Sequence, residues 1–359
     1  MNQKQNLYVD IHVLQTVPPS CVNRDDTGSP KTAVYGGVRR ARVSSQAWKR
    51  AVRLDFQEKF RGEELGIRTK KVVKLIAEEI GRRDPSADAE KLAKEALEKA
   101  GLKIKGTVKD KERDTLVFLS AGQAAALAEI VCAKEKDKKK YREALAASPS
   151  FDLVLFGRMV AEDPSLNYDA AAQVAHSIST HEVQNEFDYF TAVDDLGEEG
   201  EAGAAHIGTV EFNSSTLYRY ATVNIRELEA HLREGAPRVL RGFAESFLCS
   251  MPTGKQNTFA NRTAPDAVYI TIRSDQPVNL VGAFEKPVRS REGFAGESER
   301  RLTDYAKGTY EMFVNQPDLA LGSTRGGPIG EIAQVLPLGQ LLDRLEESVR
   351  ERLSFSEVE

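Results

Sequence analysis

Between Leu7 and Val13 the chain reads Leu-Tyr-Val-Asp-Ile-His-Val, apolar at alternate positions and rich in β-branched residues. That predicts a strand with Tyr8, Asp10 and His12 on one face. Pro18 to Gly37 reads as a loop, punctuated by Pro-Pro, Asp-Asp, Gly-Ser-Pro and Gly-Gly. Val38 to Val43 predicts a second short strand. The period then changes. Trp48, Val52, Phe56 and Phe60 recur at every fourth position, which puts one apolar stripe on a helix capped by Ser44 or Ser45. Helical patterning returns over Thr69–Arg83 and Ser86–Ala100, with Gly101 as C-cap. Thr115–Leu119 predicts a short strand. Ser120 with Gln123 forms a capping-box pattern that opens a helix through Ala133 and on toward Leu145. A further helix is expected over Tyr168–Ser179.

Downstream, His181 to Asn213 reads as an excursion between two extended arms around an acidic, glycine-rich tip at 194–203, which predicts a projecting hairpin. Thr216–Ile225 and Ala267–Ile272 predict strands. Arg226–Leu232, Arg238–Leu248, Ser298–Phe313 and Leu338–Leu353 predict helices, and Gly322–Gly330 a glycine-rich loop. The order of α and β elements, with residues 60–180 as a mostly helical insertion, fits an α+β fold built on a small antiparallel, ferredoxin-like sheet. That sheet is a frequent RNA-binding platform.

Composition narrows the class. The 359 residues are 41% apolar and 29% charged, with a formal net charge of -4. No apolar run approaches the ~20 residues that span a bilayer, and the first residues lack a signal-peptide core. Cys21, Cys132 and Cys249 are far apart and the five histidines are scattered, so no zinc or disulfide framework is expected. A soluble, cytoplasmic chain without metal or cofactor is expected.

Against that slightly acidic background, Arg39 to Arg53 holds six basic residues and no acidic one. A local cationic stretch in such a chain points to a polyanion site. Arg39, Arg42, Ser44, Gln46, Lys49, Arg50 and Arg53 combine a basic strand, a serine-capped turn and a Lys/Arg helix face. The helix start adds free N–H groups and a positive dipole end, both suited to phosphate. The alternative is a solvated face of an ordinary amphipathic helix. Arg24 and Lys31 flank the stretch. Pro252-Thr-Gly-Lys-Gln-Asn-Thr-Phe259 is not a Walker A motif, but its backbone N–H groups and Lys255 can still reach a phosphate. Gly157-Arg158-Met159 pairs a cation with a flexible apolar side chain suited to wedging between bases. Tyr189 and Phe190 can stack on bases or pack against a neighbouring subunit. Lys134, Lys136, Lys138, Lys139 and Lys140 are either a solvated helix end or a contact for duplex phosphates.

Ser20-Cys-Val-Asn-Arg-Asp-Asp26, Tyr35-Gly-Gly-Val-Arg-Arg-Ala-Arg-Val-Ser-Ser-Gln46, Phe190-Thr-Ala-Val-Asp-Asp-Leu196, Tyr218-Arg-Tyr-Ala221 and Ala283-Phe-Glu-Lys286 together resemble the CasC family, the backbone subunits of type I-E CRISPR Cascade complexes in the RAMP superfamily. The resemblance spans nearly the whole chain and weakens over 60–150 and after about Gly296. It implies a modified RNA-recognition fold: a palm of residues 1–59 and 214–359, helical fingers at 60–180 and a hairpin thumb at 181–213. Copies would polymerise head-to-tail along one CRISPR RNA, and each thumb would kink the guide so that the bases between kinks pair with target DNA. Small, large, 5′-end and processing subunits of Cascade would be the other partners. The family's RNA contacts would fall on Arg24, Lys31, Ser44, Gln46, Lys49, Arg50, Arg53, Lys255 and Gln256. Its wedge would be Met159, preceded by Arg158, and its DNA-touching fingers the lysines of 134–140.

A non-catalytic RNA-binding role is the reading these features favour. Two nuclease readings compete with it: metal-independent cleavage with His12 as base, and Mg²⁺-dependent cleavage by a loop aspartate, Asp25 or Asp26.

Overall fold

A computed structural model describes residues 5–102, 116–160, 164–191 and 207–353. The hairpin tip expected at 194–203 and most of the Phe190–Leu196 motif lie outside the described residues. The elements of the N-terminal half are β1 (Tyr8–Ser20), β2 (Thr32–Tyr35), β3 (Val38–Val43), α1 (Ser45–Lys59), β4 (Gly66–Thr69), α2 (Val72–Arg83), α3 (Ala89–Lys99), β5 (Val117–Ser120), α4 (Ala121–Cys132), α5 (Lys138–Ala146) and α6 (Phe151–Phe156). Then come β6 (Ala172–Val174), β7 (Ser177–Ser179), β8 (Glu186–Thr191), β9 (Ile207–Asn224), α7 (Ile225–Leu232), α8 (Ala236–Cys249), α9 (Gln256–Phe259), β10 (Ala267–Arg273), α10 (Ala295–Met312), β11 (Leu319–Thr324), β12 (Gln334–Val335) and α11 (Leu338–Leu353). The described residues form two compact units, one within 5–52, 174–222 and 243–353, the other within 53–173 and 223–242.

The first unit is built on a sheet of order β12-β11-β10-β1-β9-β7-β3-β2. The fold class is α+β, as expected. The sheet is larger than expected, however, and it is mixed, because β11 and β12 run parallel while β1 pairs antiparallel with β10. Two long strands account for its size. β1 does not stop at Val13 but continues to Ser20, since proline lacks only the donor and its φ suits an extended end. β9 pairs with β8 over Ile207–Phe212 and with β7 at Leu217 and Tyr218. One core packs Leu14, Tyr218, Tyr269, Phe284, Leu302, Ala306 and Tyr310, and a smaller one packs Val17, Ala41, Val43, Trp48 and Leu217.

Three expectations are corrected here. The expected loop 18–37 contains β2, joined to β3 by Gly36 and Gly37 at φ 60° and 79°. Two consecutive positive φ values make the tight turn whose twist matches a hairpin. The expected helix over Tyr168–Ser179 is instead β6 and β7. Ile178 pairs with both Arg42 of β3 and Tyr218 of β9, so the gap between two strands overrides the helix preference of the alanines before it. Gly322 lies in β11 rather than in a loop; a Cβ there would come 2.6 Å from Ile329.

The second unit is mostly helical. Ile76, Ile80, Leu97, Leu127, Val131, Tyr141 and Leu145 make a single core from α2 to α5. The helix from Ser120 begins with the expected capping box, in which the Ser120 hydroxyl accepts from Gln123 N–H and the Gln123 side chain accepts from Ser120 N–H. It stops at Cys132 instead of reaching Leu145. Lys134 takes a left-handed φ of 54°, and Asp137 caps a separate helix, α5, by accepting from Lys139 N–H. Phe56 lies edge-on to Phe60 at 5.2 Å and stacks on Phe156 at 6.2 Å.

Candidate nucleic-acid interface

Ser44 is the cap of α1: its hydroxyl accepts from Ala47 N–H at 3.3 Å. Its own N–H donates to the Asn23 side chain at 2.9 Å, which ties the helix start to the loop after β1. That loop is fixed in turn, because Lys31 N–H donates to Asn23 C=O and Arg42 N–H to Lys31 C=O. A pocket opens at this junction, lined among others by Ser20, Asn23, Lys31, Arg42, Asn213 and Ser215. The sequence-predicted Lys31, Arg42 and Ser44 therefore meet at one place, while Gln46 and Arg50 stand exposed in the first turns of α1 and Arg39 is exposed on β3. Lys49 is half-buried, and burial lowers the proton affinity of its ammonium.

The glycine loop approaches the same region. A Cβ on Gly254 would lie 2.1 Å from Val22 C=O, so only glycine lets the loop pack on the backbone next to Asn23. Lys255 follows in a left-handed conformation at φ 50°, and Gln256 opens α9. Arg24 and Lys255 both act on the Cys21 thiol, whose pKa burial raises and these two cations lower. Asp25 is a turn former in this loop: one carboxylate oxygen accepts from Thr27 N–H, Thr27 O–H and Ser29 N–H. The bonds from Thr27 hold its carboxyl below the usual carboxylate range. Among the described residues no group of three His, Cys, Asp or Glu side chains could hold a metal ion. No described helix is long and apolar enough to cross a membrane.

Other predicted cations are committed elsewhere. Arg53, in the second unit, donates to the buried Asp152 carboxylate at 3.0 Å and to Gly66 C=O. Arg158 is buried, and its guanidinium donates to Leu166 C=O, Phe118 C=O, Gln123 Oε1 and Leu145 C=O. It was expected to touch phosphate; here it anchors the turn. Gly157 makes the turn at φ 75°, and Met159 is presented 87% exposed. In the lysine run, Lys140 pairs with Glu135 at 2.5 Å and Lys139 lies 3.7 Å from Glu143, so part of its charge is balanced.

On the hairpin, Tyr189 and Phe190 fall on opposite faces of β8. Phe190 lies opposite Gly208, where its ring occupies the space a Cβ would need. Tyr189 shares its face with Phe187, and both are largely exposed. Phe187 was not among the predicted residues, although its alternation with Tyr189 marks it. His12 is fully buried: its Nδ1 is 2.8 Å from Tyr218 O–H, and its ring lies among Tyr218, Tyr220 and Tyr269. His176 was also missed, because the expected helix over 168–179 hid its place beside Arg42 and Ser45.

The whole fold has solved likenesses. A chain of a "CRISPR RNA-guided surveillance complex, pre-nicking" matches with a TM-score of 0.81 at 32% identity, covering 95% of this chain and 100% of that one. A chain of a "CRISPR RNA-guided surveillance complex" matches with a TM-score of 0.64 at 29% identity, covering 95% and 99%. No curated protein matches by sequence. The CT1975-like protein family matches residues 9–338. With that match running through the pocket, α1 and the glycine loop alike, the chain belongs to the CT1975-like protein family.

Proposed function

We propose that this chain is a non-catalytic, CRISPR RNA-binding backbone subunit of a type I-E Cascade surveillance complex. The observation that carries this is the pocket of the first unit lined by Lys31, Arg42 and Asn23, with Asn23 holding Ser44, the cap of α1, next to it. Such a site offers donors and positive charge to a phosphodiester without reading bases, as a guide-holding protein needs when pairing carries the sequence information. The likeness to chains of RNA-guided surveillance complexes supports the same role. The RNA-recognition-like palm is supported by β1 lying between β10 and β9.

In this reading copies of the chain join head-to-tail by an interface that does not close, which gives a filament along the guide. Met159 and the Phe187–Tyr189 face of the hairpin are the apolar groups available to wedge or stack on bases. The lysines at 134–140 are the proposed contact to target DNA, weakened by their pairing with Glu135 and Glu143.

The test is to purify the chain with its operon partners and extract the nucleic acid. A discrete RNA of repeat and spacer sequence, protected without cleavage in the presence or absence of Mg²⁺, is the expected result. A nucleic-acid-free monomer from that preparation, or evenly spaced metal-dependent cuts, would overturn the reading.

A further inference from the structure

His176 sits just before β7, at the point where β3 meets the start of α1. Its Nδ1 lies 3.3 Å from Ser45 N–H and 3.3 Å from an Arg42 guanidinium nitrogen. A nitrogen that accepts from a backbone amide carries no proton, so the ring is neutral, with its hydrogen on Nε2. The ring is nevertheless exposed, and it therefore exchanges protons with water freely. It occupies an N–H at the N-terminus of α1 and one donor of Arg42, the groups that an incoming phosphate would use.

The electrostatics around it are one-sided. Among the described residues the charges that act on His176 are Arg42, on β3, and Lys31, ahead of β2; both are positive and both lower its proton affinity, after burial. α1 contributes the Ser45 N–H and its positive dipole end, and neighbouring β7 is Ser-Ile-Ser, with no charge. A phosphate placed here would reverse the local field. Negative charge within a few ångströms favours the protonated imidazole.

We propose that His176 is a proton-linked element of the RNA grip: a backbone phosphate seated between Lys31, Arg42 and the start of α1 draws one proton from solvent onto Nδ1. The Ser45 N–H and the Arg42 guanidinium are then released to the phosphate, and the imidazolium is a third cation beside it. The proton bound at Nδ1 is the only one exchanged; Nε2 keeps its hydrogen and no covalent bond forms. The inference rests on the proposed function, because it needs RNA at this junction of Lys31, Arg42 and the start of α1. It adds a residue and a pH dependence that the Arg39–Arg53 stretch does not contain.

The test uses the full chain and a short single-stranded RNA of unrelated sequence, titrated from mildly acidic to mildly alkaline pH at fixed salt. Wild-type affinity should rise as pH falls, by up to about tenfold per pH unit where one proton is taken up. Calorimetry in buffers of different ionisation enthalpy should register that uptake directly. His176→Gln keeps an acceptor for Ser45 N–H but cannot be protonated, so its affinity should be nearly independent of pH and near the wild-type alkaline value. His176→Lys should bind tightly and without pH dependence. Wild-type binding that is flat with pH, or a slope that survives in His176→Gln, overturns the inference and leaves the proposed function standing. Absence of RNA binding at every pH overturns both.

Discussion

The guanidinium of Arg219 lies 3.8 Å from the centre of the Trp48 ring, with both side chains fully buried. Arg219 also donates to Gln15 Oε1 at 2.5 Å and to Phe247 C=O, while Trp48 Nε1–H donates to Ser177 at 2.9 Å. Burial pushes the Arg219 pKa down to about 9. Arg219→Ala should cost about 3 kcal/mol, from the lost cation–π contact and a stranded carbonyl. Trp48 is the single tryptophan, so urea unfolding followed by its fluorescence reads the change directly. An unchanged midpoint would contradict this packing.

Arg158 and Met159 are neighbours with opposite fates. Arg158→Ala leaves Leu166, Phe118 and Leu145 carbonyls without a buried donor and should destabilise by about 3 kcal/mol. Met159→Ala removes an exposed side chain and should change stability by less than about 0.5 kcal/mol. In the RNA-loaded assembly the order should invert, with Met159→Ala altering nuclease protection at intervals along the guide. Thermal unfolding and RNase footprinting of the two variants separate these roles.

The cations in and beside the basic stretch should divide in the same way. Lys31→Ala with Arg42→Ala should lower the salt dependence of RNA binding by about two counterions, whatever the RNA sequence. Arg53→Ala should leave that slope unchanged and cost about 2 kcal/mol of stability instead, because Asp152 is buried beside it. A lowered slope for Arg53→Ala would return that residue to the phosphate contacts.

Gly36 has φ 60°, and a Cβ there would lie 1.6 Å from Glu285 C=O. Gly36→Ala should therefore destabilise by more than about 1 kcal/mol. Gly37, also at positive φ, faces open space, so Gly37→Asn should be tolerated. Equal midpoints for the two variants in denaturant would refute the close approach.

The buried pair Asp10 and His12 sets opposing pH dependences. Burial lowers the His12 pKa to about 3, so between about 6.5 and 3 the unfolded chain binds a proton that the folded chain refuses. Stability from this group falls as pH falls through that window. Burial raises the Asp10 pKa to about 6, so the folded chain holds that proton, and its contribution is lost as pH rises from about 4 to about 6. His12→Phe removes only the first effect. The stability of wild type relative to this variant should fall by about 3 kcal/mol between pH ~7.5 and ~4.5. Urea unfolding at both pH values measures it, and parallel shifts would show that His12 titrates normally.

Much of this was legible beforehand because it is local. The Trp48, Val52, Phe56 and Phe60 stripe is buried as the period requires. β3 and α11 both have the bounds expected from their residues, Val38–Val43 and Leu338–Leu353. The region from Tyr168 to Ser179 was not legible, since its alanines favour helix and its strand partners, Arg42 and Tyr218, are far away in the chain. Within the basic stretch, Arg40 looks like its neighbours. It is nonetheless fully buried, donating to Ser179, Phe284 and Glu285 carbonyls.

The amino-acid sequence alone therefore determined the element types with strong periodicity, the site of concentrated positive charge and the resemblance to one family. Only the tertiary structure decided which cations are available to a ligand. Charge is a property of one residue. Its availability depends on whether acceptors from distant segments surround it, and for Arg40 one of those acceptors lies 244 residues away. A guanidinium whose donors are satisfied in the interior supports the fold, whereas Lys31 and Arg42, which line a pocket, and His176, exposed beside Arg42, are placed to meet a phosphate.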